Sequence, residues 1–167
     1  MSRWFACAAL AAAVIFALPP SAHSEVNYRW ASEFHHGVDY DSIRSADGTE
    51  LTLYCGAADM GQSGLILYAK GVSFKGLHLF QFVIDGKNYP FEVDDGRIAF
   101  PAINDDTPMS ITRPYYAFNE MVQALIKSKS PSFMVEVPDK QRSWKFSLLN
   151  IKDTSLRTGK TFCPPLK

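Results

Sequence analysis

The chain has almost no net charge, few cysteines and no apolar run of membrane-spanning length. Its 17 basic and 17 acidic residues balance, so the composition gives no reason to expect nucleic acid or an anionic membrane surface as a partner. It contains no internal repeat, phosphate-cradling glycine loop or zinc-protease helix motif. We therefore predict that the mature chain uses no cofactor and does not span a membrane.

The first 24 residues have the pattern of a secretory signal peptide. Arg3 precedes an apolar run over 5–18, and Ala22 and Ser24 supply the small residues that a signal peptidase requires. The run is too short for a membrane span. We predict cleavage after Ser24, a single β-rich domain over 25–167 with a net charge near −1, and a location in the periplasm or outside the cell.

The mature chain keeps two of the three cysteines, Cys55 and Cys163. An oxidising compartment favours their pairing. The bridge would close a loop of roughly 109 residues and stabilise the fold by about 4–5 kcal/mol in the loop-entropy model. The alternative is two free thiols, one of them reactive.

Two Asp-Gly pairs, Asp85-Gly86 and Asp95-Gly96, divide residues 77–102 into three alternating apolar runs. Asp-Gly suits a type I′ turn, in which both central residues have positive φ. The pattern therefore predicts a three-stranded antiparallel meander.

The register of that meander predicts one buried face. Two-residue turns pair Phe80 with Phe91 and Phe91 with Phe100, so these rings form a row across three strands. The opposite face, which carries Gln81 and Glu92, is more polar. The sheet should therefore bury only one of its faces.

One amphipathic helix is predicted after the meander, beginning near Thr112. Phe118, Met121, Val122 and Leu125 recur at i, i+3, i+4 and i+7, which is one face of a helix. We expect this apolar stripe to cover the aromatic face of the sheet.

Further alternating segments bring the total to seven to nine antiparallel strands. They include a first strand over 25–34 and a hairpin that joins 133–137 to 144–148. The predicted fold is mainly β, a β-barrel or a β-sandwich, with one α-helix packed on it and one disulfide.

His35, His36 and Asp39 are the densest group of candidate metal ligands. Adjacent residues on a strand point to opposite faces, so these side chains converge only if the chain turns at Gly37. The alternative interpretation is a solvated loop. His78, on the aromatic face of the meander, is expected to cap the edge of the core rather than to act as a base.

Four aromatic residues are candidates for a partner-binding or sugar-stacking surface: Tyr68, Tyr115, Tyr116 and Trp144. The alternative is that they belong to the core or to its rim.

The C-terminal part resembles small exported bacterial proteins of the invasion-associated locus B type. The similarity covers about 84–163: a strand, the helix ending near Leu125, a strand over 133–137, the segment 144–148 and a short stretch leading to Cys163. The resemblance implies a periplasmic or envelope protein with a binding or accessory role, associated with virulence or stress, and not an enzyme.

The sequence thus favours an exported, non-enzymatic domain that binds a protein or an envelope component. A periplasmic inhibitor of a lysozyme-like enzyme is a specific version of this hypothesis. The alternative is a small secreted hydrolase or metal-dependent enzyme that uses the loops around His35, His36, Asp59 and Ser63. A cleft shared by those loops would favour the enzyme.

Overall fold

The computed structural model describes residues 28–56, 63–100 and 108–158. The strands in these ranges are β1 (Ala31–His35), β2 (Val38–Arg44), β3 (Glu50–Gly56), β4 (Ser63–Tyr68), β5 (Leu77–Ile84), β6 (Lys87–Asp94), β7 (Arg97–Phe100), β8 (Ser132–Val137) and β9 (Arg142–Ser147). The helices are α1 (Met109–Lys127) and α2 (Ser155–Thr158), and short 3₁₀ turns cover Pro138–Lys140 and Ile151–Asp153.

All nine described strands form one open antiparallel sheet in the order β1-β2-β3-β4-β7-β6-β5-β8-β9. The mainly β class, the strand number and the single long helix are as predicted, but the barrel or two-sheet sandwich was wrong. The meander β5–β7 lies in the middle of the sheet. Its last strand, β7, pairs with β6 only at Asp94–Arg97 and then runs along β4, which connects the meander to β1–β4. In the described ranges, α1 rather than a second sheet packs on the buried face, so a sandwich is not needed to cover it.

The predicted turns of the meander are confirmed. Asp85 and Gly86 have φ values of 49° and 79°, and Asp95 and Gly96 have values of 48° and 76°, as a type I′ turn requires. The first turn sets the predicted register, with Phe80 opposite Phe91.

Helix α1 covers the aromatic face of the sheet, as predicted. Its stripe of Phe118, Met121, Val122 and Leu125 is fully buried. The ring of Phe118 lies 6.3 Å from that of Phe91 and 5.4 Å from that of Phe100. The helix begins at Met109, three residues before the predicted start. We call the helix-covered side of the sheet the inner face and the other side the outer face.

Side chains, rather than strand pairing, connect the β1 side of the sheet to its β9 side. The indole N–H of Trp30 donates to the carbonyl of Ser147 at 3.0 Å, and its ring stacks on Phe133. The amide of Asn150 exchanges two hydrogen bonds with the backbone of Trp30, at 3.0 and 3.1 Å. The sheet therefore curls until its two ends approach, without closing.

Two predictions depend on residues that lie outside the described ranges. Cys55 is buried in β3, but Cys163 and the N-terminal segment 1–24 are not described. The disulfide and the signal peptide therefore stay predictions. No helix in the described ranges is long and apolar enough to cross a membrane.

Asp41 in β2 is a fully buried carboxylate that joins the sheet to α2. It accepts hydrogen bonds from the hydroxyls of Ser32 and Ser155 and, at 3.1 Å, from the backbone N–H of Leu156. Burial raises the pKa of Asp41 above its ordinary value of 3.8, although these hydrogen bonds lower it. The folded chain therefore holds this proton more tightly than the unfolded chain does.

We expect Asp41 to make the stability depend on pH in a direction opposite to that of most carboxylates. Because the folded-state pKa is raised, its contribution is fully present below about pH 3.8 and is lost as pH rises through the folded-state value. Urea unfolding of the wild type and of Asp41→Asn should therefore give a difference in stability that falls from acidic to neutral pH. In Ser155→Ala, which lacks one of the donors, the fall should extend to higher pH. A difference that increases with pH would contradict this account.

Candidate binding groove on the outer face

The outer face of β1–β4 carries an aromatic layer built from three strands. The register aligns Tyr40 of β2 with Tyr54 of β3 and with Gly64 of β4. Because Leu53 and Cys55 are buried on the inner face, the alternation of a strand turns Tyr54 outward. The layer is therefore separate from the core beneath the sheet.

Gly64 allows Tyr54 to lie flat across β4. A Cβ atom at position 64 would stand 2.5 Å from the Tyr54 hydroxyl oxygen and 2.7 Å from its Cζ atom. The hydroxyl donates to the carbonyl of Ile98 on β7 at 3.0 Å. Burial raises the pKa of Tyr54, so this phenol remains a donor. The ring is thus fixed at both its face and its tip.

Tyr40 packs against this fixed ring and remains partly exposed. Its centroid lies 5.8 Å from that of Tyr54, with an interplanar angle of 29°. The imidazole of His35 lies 6.3 Å from Tyr40 on the β1 side. A half-exposed ring that is held from behind in this way needs little ordering when a ligand binds.

A shallow groove runs from this layer across the outer face. Its volume is about 390 Å³, which is within the usual range for small-ligand sites. It is lined by Glu33, His35, Tyr40, Ser42, Glu50, Thr52 and Ile66. The middle of the groove is a cross-strand row of Ser42, Thr52 and Ile66, so two hydroxyls lie between the two carboxylates.

Each carboxylate of the groove has its own partner. Arg44 directs Nε and Nη2 at the same oxygen of Glu50, Oε2, at 2.9 and 2.8 Å. Glu33 Oε2 lies 3.2 Å from His35 Nε2. Arg97 continues the row beyond Ile66. Two carboxylates line the groove, and two guanidinium groups, those of Arg44 and Arg97, stand at its border, so the groove and its border together have no large excess of either sign.

A family model described as YfjT matches residues 28–155, which is most of the chain. The chain belongs to the YfjT family. The match spans all nine described strands and α1, and it ends at Ser155, the first residue of α2. No curated protein and no solved structure matches the chain.

The candidate metal ligands of this YfjT-family chain do not converge. His35 faces the groove, His36 occupies the β1–β2 turn with φ of 51°, and Asp39 pairs with Phe34 on the inner side of the strand. Within the ranges that the structure describes, no group of three or more metal-ligating side chains occurs. The chain turns at Gly37, but the turn separates these side chains.

The four candidate surface aromatics do not form one surface. Tyr68 is 65% exposed on the outer face of β4, whereas Tyr116 is exposed on α1, beyond the inner face. Tyr115 packs against Phe100 with centroids 6.0 Å apart. Trp144 is buried and its indole N–H donates to Asp47 at 3.0 Å. Trp144 therefore belongs to the core, and only Tyr68 lies on the same face as the groove.

The residues of the predicted hydrolase site are also divided in this YfjT-family fold. Ser63 begins β4 on the inner face and is buried, while His35 lies on the outer face. Asp59 lies outside the described ranges. His78 caps the edge of the core: its Nδ1 is 2.5 Å from Asp139 and its Nε2 is 3.2 Å from the carbonyl of Lys75. Both ring nitrogens are thus engaged, which leaves neither for proton abstraction.

A larger groove of about 740 Å³ lies between 128–131 and 147–153. Its polar side chains bind within the protein: the hydroxyls of Ser128 and Ser130 donate to Asp85, and Asn150 binds the backbone of Trp30. These contacts join the end of α1 to the β5–β6 turn and Trp30 to the segment after β9, so we interpret this groove as part of the packing that stabilises the fold.

Sequence reasoning missed the residues that build the outer layer, Tyr40, Tyr54 and Gly64. Alternation in β2 and β3 already turns both tyrosines away from the buried Leu53. Their contact could not be derived, because it depends on how three strands pair. A glycine opposite an aromatic residue was the available signal.

Proposed function

We propose that this chain is an exported, non-enzymatic binding protein of the bacterial envelope, and that it binds its partner through the groove on the outer face. The observation that carries the proposal is the aromatic layer of Tyr40 and Tyr54. It lies on the face that the core does not use, and it leaves a supported ring open to a ligand. The proposal of export rests on the predicted signal peptide. Trp30, which is hydrogen-bonded to Ser147, lies six residues after the predicted cleavage site, so the folded domain would begin close to the new N-terminus.

The separation of the carboxylates favours binding over glycoside hydrolysis. Glu33 and Glu50 are two strands apart and four residues apart along the strand direction. Strand spacing and rise then give a Cα separation on the order of 16 Å. Glycosidases need the carboxyl groups themselves about 5–9.5 Å apart, so the two glutamate side chains would have to extend towards each other to meet that distance. Each glutamate also has a different partner, His35 for Glu33 and Arg44 for Glu50.

The rival enzyme hypothesis has less support. It requires a cleft that joins His35, His36, Asp59 and Ser63, but His35 and Ser63 lie on opposite faces of the sheet. The similarity to proteins of the invasion-associated locus B type agrees with a binding role. An inhibitor of a lysozyme-like enzyme differs from our proposal only in the identity of the partner.

We also propose the Cys55–Cys163 disulfide, because Cys55 is buried in β3 and the predicted compartment is oxidising. The exported protein, denatured and treated with iodoacetamide, should gain no adduct by mass spectrometry until a reductant is added. Alkylation of both cysteines without reductant would contradict the bridge.

The function can be tested in a Gram-negative host with a C-terminally tagged chain. We expect the periplasmic fraction to contain a protein whose first residue is Glu25. Immobilised on beads, the wild-type protein should retain an envelope component. The Tyr40→Ala variant should fail to retain it, whereas the Tyr116→Ala variant, the control at an exposed position on α1, should retain it as the wild type does. A cytoplasmic protein that still begins at Met1, or equal retention by both variants, would refute the proposal.

A further inference from the structure

We infer that the ligand of the outer groove is a neutral oligosaccharide. This inference rests on the proposed function, because it assigns a ligand class to the same groove. Three properties of the groove carry it: balanced charge, a supported aromatic ring and a row of hydrogen-bonding groups that matches sugar hydroxyls.

The charge balance argues against an ionic ligand. Glu50 is paired with Arg44 at 2.8 Å, Glu33 contacts His35, and Arg97 lies in the next position of the central row. A polyanion would meet two carboxylates, and a polycation would have to compete with the guanidinium of Arg44. A neutral ligand meets neither obstacle and leaves both existing pairs intact.

The aromatic ring provides a stacking surface for a pyranose. The C–H groups of a sugar pack on the face of an aromatic ring, and such contacts are strongest when the ring is already fixed. Tyr40 is backed by Tyr54, whose hydroxyl is bonded to Ile98 and whose face lies on Gly64. The platform is therefore ordered before any ligand arrives.

The polar groups of the groove supply both partners that a sugar hydroxyl needs. Both contacts of Arg44 go to Oε2 of Glu50, so Arg44 leaves Oε1 of this groove-lining side chain as an acceptor for a ligand O–H. The hydroxyls of Ser42 and Thr52 can donate or accept. Ile66 adds an apolar edge beside them. This combination of ring, hydroxyls and carboxylates is the chemistry of saccharide recognition.

The inference can be tested by titration calorimetry with three neutral probes, N-acetylchitotetraose, cellotetraose and maltotetraose. We expect at least one to bind with a dissociation constant below about 1 mM. Tyr40→Ala should weaken it at least about tenfold, whereas Tyr40→Phe, which keeps the ring, should bind within about threefold of wild type. Tyr116→Ala is the control off the groove and should not change the affinity.

Each outcome of this experiment either supports or overturns the inference. Failure of all three probes, or an equal loss in Tyr116→Ala, overturns the inference, as does tighter binding of a heparin tetrasaccharide or of tetralysine. If the envelope component is retained through Tyr40 yet no neutral probe competes with it, the ligand class is wrong and the proposed function stands. If neither the component nor a probe depends on Tyr40, both are wrong.

Discussion

Replacing Phe91 with alanine is expected to lower the free energy of unfolding by about 3–5 kcal/mol. Phe91 lies at the centre of the inner face and is only 5% exposed. Its ring contacts Phe82 on the neighbouring strand at 5.8 Å and Phe118 of α1 at 6.3 Å. Truncation would leave a cavity between the sheet and the helix, which surrounding aromatic rings cannot fill without moving the helix.

The measurement is urea unfolding, followed by tryptophan fluorescence and circular dichroism. Leu79→Ala is a matched control, because Leu79 lies on the adjacent strand β5 but is 40% exposed on the outer face. We expect the control to lose less than about 1 kcal/mol. Similar losses in the two variants would mean that the two faces of the meander are not as we describe them.

The inner face of the meander was predictable because its signals are local. Asp85-Gly86 determines a turn, the turn determines the register, and the register places Phe80 beside Phe91. The stripe of α1 is local in the same way, since it follows from helical periodicity. Such features depend on residues that are near one another in sequence.

The order of the strands was not predictable, since it depends on pairing between distant segments. Nothing near β7 indicates that it leaves β6 after one pair and joins β4, and this choice helps to make one wide sheet rather than a barrel. The outer groove shares the limitation, because Glu33 and Glu50 line the same groove only through the pairing of β1 and β3 with β2. Trp144 was offered as a surface residue because an aromatic at a hairpin gives no sign of Asp47, its distant partner.

Adding a single methyl group at Gly64 should also be strongly destabilising, although the residue lies on the solvent-facing side of the sheet. A Cβ there would stand 2.0 Å from the carbonyl oxygen of Ile98, in addition to its contacts with Tyr54. The obstacle is partly backbone, so β4 and β7 must separate. We expect Gly64→Ala to lower the free energy of unfolding by about 3 kcal/mol, the upper end of the cost of overpacking.

Gly76→Ala provides the matched control for this prediction. An added Cβ at Gly76 meets no atom within 4 Å, so its cost is the strain of a residue with φ of 87°, about 1 kcal/mol. The double variant Gly64→Ala, Tyr54→Leu should not recover wild-type stability, because the carbonyl oxygen of Ile98 still clashes with the added Cβ at position 64. Recovery would mean that the tyrosine ring alone requires the glycine. If Gly64→Ala were as stable as wild type, the close approach of β4 and β7 would be refuted, and with it the fixed support on which the Tyr40 platform depends.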